Sequence, residues 1–175
     1  MSETVRVMLE EDVVNKRIAE LAKALSEEFE GEQLHLICIL KGSIFFTCEL
    51  AKRITVPVTM DFMSVSSYGS GTTSSGNVII KKDLDEDIEG KNVVVIEDII
   101  DTGRTLASLL KLLEKRNPKK LKLCTLLDKP DRRIADVSVD YTGFVIPDEF
   151  VVGYGLDYDQ RYRNLPYIGF VEDAE

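Results

Sequence analysis

The stretch Val93-Val94-Val95-Ile96-Glu97-Asp98-Ile99-Ile100-Asp101-Thr102-Gly103-Arg104-Thr105 decides the reading of this 175-residue chain. Its four leading apolar residues sit in a strand read from Lys91 to Ile96, and such a run marks a strand covered on both faces. A helical pattern then runs from Thr105 to Arg116 and closes at Asn117-Pro118. A buried strand thus passes into a helix through Glu97 to Arg104. A helix N-terminus leaves first-turn N–H groups without helical acceptors and carries the positive end of the dipole, so it suits a phosphate. Thr102 and Thr105 add hydroxyl donors, and Gly103 lets the backbone approach closely. The first half of the segment is acidic. Glu97 and Asp98 can accept hydrogen bonds from vicinal sugar hydroxyls and hold Mg2+, directly or through water. Asp101 stands where it can accept a proton. Isolated acids at such a place are ordinarily a helix cap and a solvated turn. An apolar strand, paired acids, Asp-Thr-Gly and a helix in one run argue instead for a sugar-phosphate site.

Outward from this segment the chain alternates strands and helices. Asp12 can cap a helix through Val14, Ile18, Leu21, Leu25 and Phe29, which stops at Gly31. Leu34 to Leu40 reads as a buried strand, Lys41-Gly42-Ser43 as a turn, and a second helix follows with Ile44, Cys48, Ala51 and Ile54 on one face. Pro57 permits an edge or a strand start near Val58 to Phe62. From Ser64 to Gly76, eleven of thirteen residues are Ser, Gly or Thr, which predicts a mobile loop. Asn77 to Lys82 is the next strand, Asp83 to Gly90 an acidic turn, and Leu121 to Leu127 another apolar strand. Short strands are expected near Val137 to Val145, Phe150 to Tyr154 and Tyr167 to Val171. This order predicts a single α/β domain over residues 1–175 with a mostly parallel central sheet flanked by helices. Ligands in such sheets bind beyond the carboxyl ends of strands, where Lys41-Gly42, Asp98 to Thr105 and Asp128-Lys129 all fall.

Composition bounds the chemistry. Apolar residues are 44% and charged residues 30% of the chain, ordinary for a globular protein. No apolar run is long enough for a transmembrane helix, and Met1 to Glu11 lacks the apolar core of a secretory signal. Cys38, Cys48 and Cys124 then read as free thiols in a reducing cytoplasm. A net charge of -9 disfavours a general nucleic-acid binder. It also requires that any phosphate be met by local donors or a metal ion. Two apparent motifs fail. Gly69-Ser70-Gly71 lacks a flanking strand-to-helix turn, and Asp83, Asp85 and Asp87 lack the glycine of a calcium loop, having Ile88 there. His35 is the only histidine and lies in an apolar strand, which argues against a histidine-based zinc site or triad.

The segment from Val93 to Thr105 closely resembles the phosphoribosyl-diphosphate motif of type I phosphoribosyltransferases: four apolar residues, two acids, then Asp-Thr-Gly-x-Thr. The likeness is strongest to the hypoxanthine-guanine phosphoribosyltransferases and extends over nearly the whole chain. It implies the type I phosphoribosyltransferase fold, with a small hood and a flexible lid loop. It implies Mg2+-dependent transfer from 5-phosphoribosyl 1-diphosphate to hypoxanthine or guanine. Glu97, Asp98, Asp101, Thr102, Gly103, Arg104 and Thr105 would then hold the ribose and its 5-phosphate, with Asp101 the general base. Leu40-Lys41-Gly42 resembles the diphosphate loop, whose first peptide can be cis, and Arg163 matches the arginine on the diphosphate. Ser67 and Tyr68 resemble the start of the lid, whose closure would keep water from a reactive ribosyl cation. Lys129 would meet the exocyclic oxygen of a 6-oxopurine, Phe150 would stack on the base, and the Val151 backbone would bond its edge. Asp157 would hold a second Mg2+ or lie near the purine, completing a metal set with Glu97 and Asp98. The family is commonly dimeric or tetrameric, so a homo-oligomer is implied. Xanthine as the base, and a non-catalytic nucleotide- or RNA-binding regulator on the same fold, remain as alternatives.

Overall fold

The computed structural model describes residues 4–67 and 78–172. Its elements are β1 (Thr4–Leu9), α1 (Glu11–Glu28), β2 (Leu34–Ile39), α2 (Ile44–Arg53), β3 (Val58–Ser67), β4 (Val78–Lys82), β5 (Asn92–Ile100), α3 (Arg104–Glu114) and β6 (Lys120–Asp128). A 3-10 turn (Pro130–Arg132), β7 (Tyr141–Val145), β8 (Val151–Val152) and β9 (Ile168–Glu172) complete the chain. Six strands form the central sheet in the order β4-β3-β2-β5-β6-β7. Every pairing in it is parallel except β3 with β4. The expected α/β sheet is therefore present.

The apolar runs fill both faces of this sheet. Leu34, Leu36, Val94, Ile96, Cys124 and Leu126 pack with the apolar stripe of α1 and with Phe46 and Leu50 of α2. Their neighbours Ile37, Ile39, Val93, Val95 and Leu123 pack on Leu106, Leu109 and Leu113 of α3. Alternate residues thus serve opposite faces, and because both faces are covered, β2 is buried at every position.

From β2 the chain builds outward through β3 and β4, then returns to the other side of β2 and builds through β5, β6 and β7. The topological switch point lies between β2 and β5, where open α/β sheets bind ligands. Lys41-Gly42 follows β2, and Glu97 to Thr105 spans the carboxyl end of β5 and the turn after it.

Several local expectations are revised. Residues 4–9 form β1, and β1, β9 and β8 make a separate three-stranded antiparallel sheet, which corresponds to the hood. The N-cap of α1 is Glu10, not Asp12, whose Oδ1 instead accepts from the Val13 N–H. The buried face of α2 is Phe46, Thr47 and Leu50, which leaves Cys48 exposed. Ser64 to Ser67 are strand, because β4 pairs with them and carries β3 into the Ser-rich run. Tyr68 and the rest of that run to Gly76 lie outside the described residues. Pairing with β6 extends β5 beyond Ile96 to Ile100, opposite Asp128. The strand expected from Val137 begins only at Tyr141, and that expected from Phe150 to Tyr154 shortens to Val151–Val152.

Candidate active site

Glu97 and the run from Ile99 to Leu106 line a cavity of about 270 Å³, with Ile39 and Val65 on its other side. Gly103 is the N-cap of α3 with φ 78°, a left-handed conformation that favours glycine. A side chain there would crowd Arg133 and Val137. The start of α3 is therefore pressed against the segment after β6. Thr102 is held from the same side, its carbonyl accepting from the Ile134 and Ala135 N–H groups at 3.0 Å each. Thr105 Oγ1 lies 3.4 Å from Ser67 Oγ, so the end of β3 reaches the start of α3.

The acidic half behaves differently from surface carboxylates. Burial pushes the Glu97 carboxyl well above its ordinary range, and the charge of Asp98 adds to this. Asp98 is also raised by burial, opposed by hydrogen bonds from backbone N–H groups and by the charge of Arg163. Two adjacent acids, both raised by burial and one of them further by its neighbour, suit a divalent cation, which would favour their ionised forms. Among the described residues, no three His, Cys, Asp or Glu side chains gather as a metal cage. Glu97, Asp98 and Asp157 are thus not one preformed set. That is compatible with Mg2+, which keeps several waters and takes one or two carboxylates together with substrate oxygens.

The turn after β2, where the resemblance implies the diphosphate, forms a second wall. The Leu40–Lys41 peptide is cis. Asp98 fills the space beside Gly42, and Gly155 (φ 100°) packs against the Gly42 carbonyl from another direction. Arg163 reaches the same region: Nη1 donates to the Gly155 carbonyl at 2.7 Å, and Nη2 pairs with Asp157 at 3.0 Å. Gln160 Oε1 accepts from both Lys41 Nζ and Arg163 Nη2 at 3.2 Å. Two cations from distant parts of the chain thus meet on one carboxamide.

Lys129, Phe150 and Val151, the residues expected to meet the base, come from the ends of β6 and β8. Lys129 is buried, and its backbone N–H donates to the Ile100 carbonyl at 3.0 Å, which ties the end of β6 to the end of β5. Phe150 is 57% exposed and meets the Tyr158 ring edge-on at 5.6 Å. A large aromatic left so open offers a free face for stacking. Val151 is buried in β8, opposite Phe170.

Asp101 is held by groups that motif reading does not single out. Arg132 Nε lies 3.0 Å from its Oδ1. Arg133 Nε donates to its carbonyl at 3.3 Å, while Arg133 Nη2 pairs with Asp128 at the end of β6. Both arginines are visible after Lys129, but no spacing rule ties them to an aspartate 31 and 32 residues earlier.

Residues 9–159 match the model of the phosphoribosyl transferase domain. The chain is 52% identical over 173 residues to the hypoxanthine phosphoribosyltransferase of Salmonella typhimurium, covering 98% of this chain and 97% of that protein. It superposes on the hypoxanthine-guanine phosphoribosyltransferase structure from Bacillus anthracis with a TM-score of 0.93 and 47% identity, covering 97% of this chain and 100% of the other. A hypoxanthine phosphoribosyltransferase structure from Staphylococcus aureus also gives a TM-score of 0.93, with 50% identity, 95% of this chain and 91% of the other.

Proposed function

The chain belongs to the phosphoribosyltransferase family, and from that premise we propose that it salvages purines by transferring the 5-phosphoribosyl group of 5-phosphoribosyl 1-diphosphate to N9 of hypoxanthine or guanine. The observation that carries this reading is the convergence at the switch point. The Glu97 to Thr105 cavity, the Lys41-Gly42 turn and Arg163 lie around one place, with Lys129 tied to Ile100 beside it.

The start of α3, with Thr102 and Thr105, takes the 5-phosphate, while Glu97 and Asp98 take the ribose hydroxyls. Lys41, the backbone at Gly42 and Arg163 take the diphosphate. The bond from C1' to the diphosphate oxygen breaks, and the bond from C1' to N9 forms. The proton on N7 passes to the Asp101 carboxylate, so the base donates electrons without acquiring a full positive charge. Positive charge gathers on the ribose and negative charge on the leaving group, where these fixed donors act most strongly. Glu97 and Asp98 would hold Mg2+, and Asp157 a second ion; the metal would supply neutralisation of the diphosphate charge. Lys129 donates to the oxygen at C6 and rejects the amino group of adenine; Phe150 stacks on the ring. By the family resemblance, a lid that starts at Ser67 would keep water from C1'.

A cytoplasmic homo-oligomer, dimer or tetramer, completes the proposal on the strength of the family resemblance. Among the described residues no helix is long and apolar enough to cross a membrane. The test is diphosphate release with Mg2+, the ribosyl donor and hypoxanthine. Turnover supports the enzyme reading; nucleotide binding without turnover would favour a regulator.

A further inference from the structure

We propose that Arg132 and Asp148 are positioning residues that link recognition of the base oxygen to the placement of the proton acceptor. The inference rests on the functional reading above. Lys129 Nζ lies 3.8 Å from Asp148 Oδ1. The other oxygen of Asp148 lies 3.4 Å from Arg132 Nη1. Arg132 Nε lies 3.0 Å from Asp101 Oδ1. Charges of alternating sign therefore run without a break from the lysine assigned to the base oxygen to the carboxylate assigned to N7.

Three separate segments supply this chain. Asp101 follows β5, Lys129 precedes and Arg132 ends the 3-10 turn after β6, and Asp148 follows β7, two residues before Phe150. The turn fixes the spacing of the two cations, since the Arg132 N–H donates to the Lys129 carbonyl at 3.1 Å. Asp101, Arg132 and Asp148 are each nearly half exposed, whereas the Lys129 side chain is 9% exposed. Exposed ion pairs contribute little to stability. Their arrangement here sets geometry. Arg132 holds the Asp101 carboxylate in one orientation. Asp148 balances Lys129 and orients Arg132, so a base that draws on Lys129 meets an acceptor already in place.

Steady-state kinetics of the full chain with hypoxanthine, Mg2+ and saturating ribosyl donor test this. In Arg132→Gln, kcat falls about tenfold or more while KM for hypoxanthine stays within about threefold, because only the reacting arrangement is lost. Arg132→Lys, which keeps the charge, recovers part of that loss. In Asp148→Asn, KM for hypoxanthine rises about tenfold with kcat nearly kept. The double variant loses less than the product of the single losses, as expected for members of one network. Wild-type constants in both single variants would overturn this proposal alone. So would parallel losses in kcat and 1/KM accompanied by a lowered Tm, which describe a merely structural role. An inactive wild-type chain would instead overturn the functional reading, and this inference with it.

Discussion

Asp98 occupies the space that any side chain at residue 42 would need: a Cβ on Gly42 would overlap its Oδ2. The acid at the carboxyl end of one central strand is thereby locked to the turn after its neighbour. The sites proposed for ribose and diphosphate therefore share a wall, and the glycine is required by contact. Gly42→Ala should lower kcat/KM for the ribosyl donor by about tenfold or more, because either the turn or Asp98 must move. Adding Asp98→Ala to that variant should cost far less than it does in the wild type, since the two changes act on one contact. A kinetic double-mutant cycle checks this; full additivity would count against the shared wall.

Gly103 begins α3 with φ 78°, and a Cβ there would lie 3.1 Å from Arg133 Cδ. Gly103→Ala should destabilise the protein by about 1–2 kcal/mol, the usual cost of a left-handed conformation for a residue with a side chain. It should also displace Arg133, which holds the Asp101 carbonyl. Urea unfolding measures the first effect and the KM for the ribosyl donor the second.

Glu97 gives a prediction in pH. Its folded carboxyl is raised by burial and then by Asp98, so the folded state binds a proton that the unfolded state releases. Stability therefore falls as pH rises from about the ordinary carboxylate value, 4.5, up through the folded value. Glu97→Gln removes this cost. Its Tm should exceed that of the wild type at pH 7.5, with the gain vanishing near pH 4. Mg2+ should raise the Tm of the wild type more than that of the variant. Equal Tm differences at both pH values would contradict the burial of a charge.

Asp101→Ala should lose about 10²–10⁴ in turnover, the usual contribution of a positioned base. Nucleotide affinity should stay within about tenfold, since Thr102 to Thr105 still hold the phosphate. Calorimetry alongside kinetics separates the two. Unchanged turnover would remove Asp101 from its role.

Much of this arrangement is legible in the sequence, for physical reasons. Val93 to Ile96 and Leu121 to Leu127 must be buried, and their order along the chain fixes a parallel sheet. Gly103 after Asp-Thr announces the start of α3. What escapes is set by partners far away in the chain. Thr4 to Leu9 becomes a strand only because residues 168–172 pair with it. Ser64 to Ser67 look like a loop until Val78–Lys82 aligns beside them. Ile99 and Ile100 join β5 because β6 continues opposite them. The Lys129–Asp148–Arg132–Asp101 chain combines three segments, and no periodicity in the sequence reports it. The buried face of α2 is ambiguous in sequence because Ile44, Cys48 and Ala51 fit helical spacing as well as Phe46 and Leu50 do; the fold buries Phe46 and Leu50.

The most direct test of the central claim is a side-by-side panel of bases with the ribosyl donor and Mg2+, read as nucleoside monophosphate formed. Hypoxanthine or guanine should be converted, and adenine should not, because Lys129 offers a cation where adenine carries an amino group. Conversion of adenine as fast as hypoxanthine, or no nucleotide from any purine, would contradict the account.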